Sequence, residues 1–245
     1  MRVLGIDLET TGLDFDKDRV IEIGLVLYDT DLKIPLKMFS EFVNEPNRPK
    51  IDPSKVPALI TNSIITEFGW NPSDIITNPS DITTDPWLEI IDLFTSADYI
   101  VAHNGNKFDK LMFQNFCARY DIKFPDLPWL DTMTDIEYPH HCAARNLVYL
   151  AGYHGFVNPF PHRALFDVMT MFKIMSCYSI DAMIERHASP MVTLQALVEY
   201  ANKDLAKAEK FMWDGTKRIW YKEIKECDMS DEWLEGLQFE IKVLS

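Results

Sequence analysis

Apolar residues run or alternate along five short segments of the chain, a pattern that predicts β-strands. The predicted strands cover residues 2–9, 20–28, 34–43, 98–103 and 129–132. The third is the most mixed in polarity, so it suits the edge of a sheet. The first three strands follow one another through short connections, so we expect them to pair antiparallel. The later two should run parallel to the first, because helices connect them.

Apolar residues recur at helical spacing in the segments between and after these strands. Five helices are predicted, over residues 87–95, 107–120, 144–151, 163–176 and 179–187. Strands that alternate with helices predict an α/β fold, here a mixed sheet with flanking helices.

A new pattern begins after Ser189-Pro190, which we interpret as a domain boundary. The prediction is a first domain over residues 1–188 and a small α+β module over 189–245. The module's elements are a strand at 191–200, a helix at 202–210, a strand at 217–224 and a terminal helix from about 230. The terminal helix is predicted from the helical spacing of Trp233, Leu237 and Ile241.

The segment 44–87 holds seven of the fourteen prolines and is predicted to be mostly loop. It contains a tandem duplication, "NPSDIIT" at 71–77 and "NPSDITT" at 78–84. We interpret the repeat as a duplicated surface loop, because a proline in each copy excludes a heptad coil.

Composition limits the function classes. No run of about 18 apolar residues is present, so no membrane span or membrane partner is expected. The four cysteines show neither close pairing nor metal-type spacing, which indicates reduced thiols and a cytoplasmic protein, or the host cytoplasm for a phage protein. The net charge of −14 argues, taken alone, against a nucleic-acid ligand.

Four acidic residues, in three segments of the chain, stand where an apolar environment is expected. Asp7 and Glu9 stand two apart in the strand of "VLGIDLETTGL", so both project from the same face. Asp109 ends "HNGNKFD" at the start of a helix, and Asp167 ends "HRALFD" within the first turns of another. An unpaired buried carboxylate costs several kcal/mol, so clustered acids need a compensating charge.

The segments "DLETTGL", "HNGNKFD" and "HRALFD", in this order, resemble the three exonuclease motifs of the DEDDh family. That family includes the proofreading subunit of bacterial replicative polymerases (DNA polymerase III epsilon), ribonuclease T and oligoribonuclease. The resemblance covers residues 1–187 and implies a ribonuclease H-like fold. It also implies 3′-to-5′ hydrolysis at a single-stranded DNA or RNA 3′ end, release of nucleoside 5′-monophosphates, and a replication or polymerase partner.

Carboxylates about 5 Å apart repel by roughly 3 kcal/mol per pair at an effective dielectric near 20. Ligation by oxygen alone is typical of Mg²⁺ or Mn²⁺, and two such ions can stabilise both the attacking and the leaving oxygen of a phosphodiester. Two divalent cations at the point of contact would also weaken the objection from net charge.

The resemblance assigns roles by position. Metal binding falls to Asp7, Glu9, Asp109 and Asp167. His162 would be the general base, a role that suits a side chain titrating near neutral pH. The terminal nucleotide would meet Thr10, Thr11, Gly12 and Leu13, with Asn104 and Phe108 on the opposite wall. Phe108 suits the helix core equally well, and Asp131, a rival acid at a strand end, is interpreted as structural.

Three alternatives stay open beside a DNA exonuclease: an exoribonuclease, a catalytically dead fold used as a nucleic-acid-binding or scaffold module, and another oxygen-ligated hydrolase. A dead copy is expected to have lost an acid or the base, whereas all five residues are present here. The third alternative would not need a histidine five residues before Asp167.

The C-terminal segment "KAEKFMWDGTKRIWYKEI" resembles small modules found beside phage and bacterial exonuclease or primase domains. Residues 191–225 hold seven basic and five acidic side chains, a net of +2. Trp213, Trp220 and Tyr221 lie among them, either as the core of the module or as a surface on which bases stack.

Overall fold

The structure is a computed structural model that describes residues 1–45, 86–139 and 141–244. The chain divides into two compact units, Met1–Met183 and Ile184–Ser245. The division falls inside a helix, Ile180–Ala188, slightly before the boundary expected from the sequence. The tandem duplication at 71–84 lies outside the described residues.

The first unit is built on a five-stranded mixed sheet with the strand order β3-β2-β1-β4-β5. The strands are β1 (Arg2–Thr10), β2 (Val20–Asp29), β3 (Ile34–Phe42), β4 (Tyr99–Ala102) and β5 (Trp129–Asp131). As expected, β1 pairs antiparallel with β2 and β2 pairs antiparallel with β3, while β4 runs parallel to β1 and β5 parallel to β4. The sequence therefore predicted both the strands and their directions.

Five helices of the described residues flank this sheet or follow it: α1 (Pro86–Thr95), α2 (Asp109–Arg119), α3 (Leu147–Tyr153), α4 (Ala164–Met175) and α5 (Ile180–Ala188). The side chains of Leu4, Ile6 and Leu8 enter a core that includes Ile90 of α1 and Phe113 of α2. The alternate residues of β1 face α4. A ribonuclease H-like α/β arrangement results, in agreement with the predicted fold class.

Glycine permits α4 to approach the sheet closely. A Cβ atom on Gly24 of β2 would lie 2.5 Å from the backbone carbon of Ala164, where α4 begins. A Cβ atom on Gly5 of β1 would lie 2.5 Å from Val168 Cγ1. Because real Cβ contacts are longer, both glycines are needed for the present position of α4.

The second unit has a four-stranded sheet with the order β7-β8-β6-β9. Its elements are β6 (Met191–Leu197), a 3₁₀ turn (Tyr200–Asn202), α6 (Lys203–Ala208), β7 (Met212–Asp214), β8 (Ile219–Lys225), a 3₁₀ turn (Glu226–Asp228), α7 (Asp231–Gly236) and β9 (Glu240–Val243). Strand β6, helix α6 and strand β8 follow in the predicted order, and β7 is an additional short strand that pairs with β8. The small core of the unit is centred on Leu194 and Phe211.

The prediction that the chain ends in one helix from about residue 230 was wrong. Helix α7 ends at Gly236, and the following residues form β9, which pairs antiparallel with β6. Glycine weakens the helix at that point. Phe239 and Ile241, two apart, both pack on the core of the unit, which is the spacing of a strand.

All four cysteines are free thiols. Within the part of the chain that the structure describes, no helix is both long and apolar enough to cross a membrane.

Candidate active site

The face of β1 opposite the apolar core carries the first two acids. Asp7 and Glu9 are partly buried, whereas Leu8 between them is buried in the core. Asp7 stands opposite Gly24 of β2, and Glu9 stands opposite Glu22. The two carboxylates therefore share the face against which α4 packs, as the alternation of the strand predicted.

Asp109 is buried in the first turn of α2, beside the end of β1. Its Oδ1 atom accepts a hydrogen bond from the backbone N–H of Leu8 at 3.1 Å. Because Leu8 lies between Asp7 and Glu9, this bond fixes the start of α2 to the strand segment that carries them.

Asp167 is buried in the first turn of α4 and is held by two donors. Asn158 Nδ2 donates to Asp167 Oδ1 at 2.5 Å, and the backbone N–H of His162 donates to Oδ2 at 2.9 Å. His162 is exposed and has a left-handed backbone with a φ of 63°. The loop before α4 is therefore organised around the carboxylate of Asp167.

The three segments converge on one place. Ligand atoms of Glu9, His162 and Asp167 all lie within 4.8 Å of one another. Asp7 and Asp109 adjoin this group electrostatically: burial, and then the charges of Asp109, Glu9 and Asp167, raise the pKa of Asp7 well above its usual range. The fold thus groups Glu9, His162 and Asp167 by distance, and Asp7 and Asp109 interact electrostatically with the acids of that group.

Burial and mutual repulsion strongly favour protonated carboxyl groups here. Burial and the charges of Asp167, Glu22 and Asp109 raise the pKa of Glu9 to about 8, although Arg163 opposes this. Burial raises the pKa of Asp109 to about 7. Such a set of oxygen donors, with too much negative charge to stay ionised alone, fits divalent cations as the compensating charge.

Sequence reasoning missed three residues that support the site: Asn158, Glu22 and Arg163. Glu22 is 1% exposed, and it pairs with Arg163, the residue after His162, with 3.0 Å from Nε to Oε2. A signal for Glu22 was present, since it is an acid inside the apolar strand "VIEIGLVLY", as Asp7 is in β1. The sequence contains no comparable indication for Asn158, because its hydrogen bond to Asp167 depends on the conformation of the loop before α4.

The segment Thr10–Leu13 at the end of β1 was expected to meet the terminal nucleotide. Its threonines are buried, whereas Leu13 is exposed. Thr10 Oγ1 donates to the carbonyl of Gly12 at 2.6 Å, and Thr11 Oγ1 donates to Asp18 Oδ1 at 2.8 Å, so both threonine hydroxyls act within the loop. Leu13 is 75% exposed. Among these residues, Leu13 therefore has the side chain that a ligand can reach most easily.

The segment from β4 to α2 carries Asn104 and Phe108, which were expected to form the opposite wall. Asn104 has a φ of 64°, and its backbone N–H donates to Asp131 Oδ1 at 2.8 Å. Asp131 is buried and also accepts from the N–H groups of Asn106 and Met133, which fits the structural interpretation. Phe108 packs partly on the core, and its ring centroid lies 6.2 Å from that of Phe15.

The family model RNase_T, described as an exonuclease, matches residues 4–175 of the chain. This range contains all five residues of the cluster. Among curated protein sequences, none gives a significant match.

Solved nuclease structures share the fold. Exonuclease I of E. coli in complex with a dA16 oligonucleotide is similar with a TM-score of 0.65 and 13% identity, over 98% of this chain and 68% of that chain. The zinc-bound form of the E. coli ExoI–ssDNA complex gives 0.66 and 13% over the same shares. The nuclease domain of 3′hExo, a DEDDh family member bound to rAMP, gives 0.51 and 17%, over 72% of this chain and 90% of that chain.

Proposed function

The chain belongs to the exonuclease family of the RNase_T model. We propose that it is a 3′-to-5′ exonuclease of the DEDDh type that releases nucleoside 5′-monophosphates. One observation carries the proposal: Glu9, His162 and Asp167 place their ligand atoms within 4.8 Å of one another, next to Asp7 and Asp109. A scaffold module without activity would have no need for buried carboxylates that repel one another.

Asp7, Glu9, Asp109 and Asp167 are the residues that would hold two divalent cations, Mg²⁺ or Mn²⁺. When bound, the cations supply charge stabilisation for the phosphodiester undergoing attack. The protein contributes fixed donors: Asp109 is held through the N–H of Leu8, and Asp167 through Asn158. These bonds keep the carboxylates in place before a substrate arrives.

His162 would take the proton from the attacking water. Its backbone N–H is bonded to Asp167, so its position is tied to the carboxylate cluster, while its exposed side chain is open to solvent and substrate. An imidazole in such a position can remove a proton and release it to solvent.

The loop after β1 would receive the 3′-terminal nucleotide. The exposed side chain of Leu13 offers an apolar contact for the base, and the Thr10–Gly12 bond keeps the backbone rigid. The wall formed by Asn104 and Phe108 lies on the segment that leads to Asp109. We propose a single-stranded DNA end as substrate, with an RNA end as the alternative.

The test uses matched DNA and RNA oligomers, each labelled in one sample at the 3′ end and in another at the 5′ end. We expect labelled mononucleotide to appear first from the 3′-labelled sample, only with Mg²⁺ or Mn²⁺, and the 5′-labelled sample to shorten stepwise. Undiminished cleavage in excess chelator, or first release from the 5′ end, would contradict the proposal. The preferred oligomer decides between DNA and RNA. A replication or polymerase partner and a cytoplasmic location stay predictions.

A further inference from the structure

A pocket in the second unit is lined by residues that the proposed active site does not include. Its volume is about 380 Å³. One side is formed by the end of β6 and the turn that follows it, and the other side by the β7–β8 hairpin. Three aromatic side chains line it: Tyr200 from the turn, and Trp213 and Trp220 from the hairpin. Its size falls in the range of pockets that hold small ligands.

The aromatic rings of this pocket are only partly buried in the core of the unit. Tyr200 is 78% exposed and Trp213 is 50% exposed. Trp220 stands opposite Trp213 in the hairpin, with 5.4 Å between ring centroids, and packs partly on the core. Trp220 therefore supports Trp213. A flat ligand can reach the exposed ring of Trp213 and the face of Tyr200 that Lys203 does not cover.

Cations adjoin the aromatic faces. Lys203 Nζ lies 4.1 Å from the ring centroid of Tyr200, and Lys207 Nζ lies 5.9 Å from that of Trp220. Arg218 also lines the pocket, and so does one acid, Glu199. The segment 191–225 has a net charge of +2, whereas the whole chain has a net charge of −14. The pocket is therefore built from a locally basic segment of the chain.

The hairpin holds these groups in a fixed place. Asp214 Oδ1 accepts the backbone N–H groups of Thr216 and Lys217, each at 2.9 Å, which closes the turn. Arg218 follows with a left-handed backbone, φ 55°, which a residue other than glycine or asparagine rarely adopts. This backbone conformation belongs to a residue that lines the pocket.

We propose that this pocket binds one unpaired base, with its neighbouring phosphate, of a single-stranded nucleic acid. The proposal rests on the proposed function, since it assigns a second contact with the same substrate. The rings of Tyr200 and Trp213 would stack on the base, Arg218 and Lys203 would contact the phosphate, and Glu199 would accept from a base N–H group such as N3–H of thymine. Oligomers long enough to reach the pocket would then bind more tightly than a dinucleotide.

The experiment measures the affinity of the full chain for a fluorescent thymidine oligomer of about 16 nucleotides, in excess chelator to prevent cleavage. We expect Tyr200→Ala and Arg218→Gly each to raise Kd roughly tenfold. Arg218→Gly should also reduce the slope of log K against log salt by about one, because one phosphate contact is lost. Glycine suits the left-handed backbone, so this variant should keep its stability.

Two matched variants serve as controls. Tyr200→Phe retains the ring and should bind like the wild type, and Lys242→Ala removes an exposed cation of β9 that does not line the pocket. An oligomer with abasic sites should lose most of the Tyr200 effect. Unchanged Kd and salt slope in Tyr200→Ala and Arg218→Gly would overturn the proposal, as would an equal Tyr200 effect on the abasic oligomer.

Dinucleotide cleavage separates the two proposals. If the wild type and the pocket variants cleave a dinucleotide equally while the variants bind the long oligomer weakly, both proposals are supported. If the wild type cleaves nothing with Mg²⁺ or Mn²⁺, the proposed function fails, although the binding measurement still tests the pocket.

Discussion

Arg163 and Glu22 form a bidentate ion pair: Arg163 Nε lies 3.0 Å from Glu22 Oε2, and Arg163 Nη2 lies 3.1 Å from Glu22 Oε1. Glu22 stands opposite Glu9 in the sheet, and Arg163 follows His162 directly. The pair therefore ties β2 to the residue that precedes α4. Arg163 is also the positive charge that opposes the raised pKa of Glu9.

Replacing Arg163 by alanine should destabilise the protein, because Glu22 would remain buried without its cation. We expect the free energy of unfolding to fall by roughly 1–3 kcal/mol. The measurement is urea denaturation of Arg163→Ala beside the double variant Arg163→Ala/Glu22→Gln, in which position 22 carries no charge. The double variant should recover part of the loss; equal stability of Arg163→Ala and the wild type would contradict the role of the pair.

Replacing Gly24 by alanine should displace the start of α4 and with it Asp167. The added Cβ would meet the backbone of Ala164 and Leu165 at 2.5 Å, and overpacking of this kind destabilises by roughly 1–3 kcal/mol. We expect a lower melting temperature and a lower cleavage rate in a protein that still folds.

Gly152→Ala is the matched control for Gly24, because nothing lies within 4 Å of the added Cβ and the residue is in helix α3. It should be neutral or slightly stabilising. A Gly24→Ala variant with the melting temperature and activity of the wild type would show that α4 does not need this close approach.

The stability of the cation-free protein should fall as pH rises from about 4.5 to about 8, the ordinary and the raised pKa of Glu9. In this window the folded protein keeps a proton that the unfolded chain has lost, so raising the pH favours the unfolded chain. The measurement is the melting temperature in chelator at pH 5, 7 and 8.5.

Glu9→Gln should flatten this dependence, and Mg²⁺ or Mn²⁺ should raise the melting temperature more at pH 8.5 than at pH 5, since cations bind the ionised carboxylates. The drop in melting temperature from pH 5 to pH 8.5, measured in chelator, should be larger for the wild type than for Glu9→Gln. Equal drops in the two proteins would contradict a raised pKa of Glu9 in the folded protein.

His162→Asn should lose roughly 10²–10⁴-fold in cleavage rate, the range expected for removal of a general base. Asparagine tolerates the left-handed backbone of this position, so the substitution tests the imidazole rather than the loop. Single-turnover rates against pH should show that the variant lacks the rise seen with the wild type. A wild-type rate with an unchanged pH profile would remove His162 from the mechanism.

The sequence was sufficient for those parts of the fold that depend on local pattern. The five strands of the first unit and the helices that carry Asp109 and Asp167 lie within a few residues of their predicted bounds. Alternation along β1 also placed Asp7 and Glu9 on one face, because side-chain direction in a strand has a strict period of two.

What the sequence did not reveal depends on contacts between distant segments. The Glu22–Arg163 pair needs the packing of α4 on β2, and the bond from Asn158 to Asp167 needs a specific loop conformation. The terminal helix was predicted wrongly because Trp233, Leu237 and Ile241 satisfy a helical period, while Phe239 and Ile241 satisfy that of a strand. Only pairing with β6 decides between them.

The most direct test of the account is the rate of 3′ nucleotide release by Asp7→Ala in saturating Mn²⁺, beside Asp181→Ala, which removes an exposed acid of α5. Asp7 interacts electrostatically with Asp109, Glu9 and Asp167, so its loss should reduce the rate at least about 10³-fold while the circular dichroism spectrum is retained. Asp181→Ala should cleave like the wild type. A folded Asp7→Ala protein with the wild-type rate would contradict the assignment of this cluster as the active site.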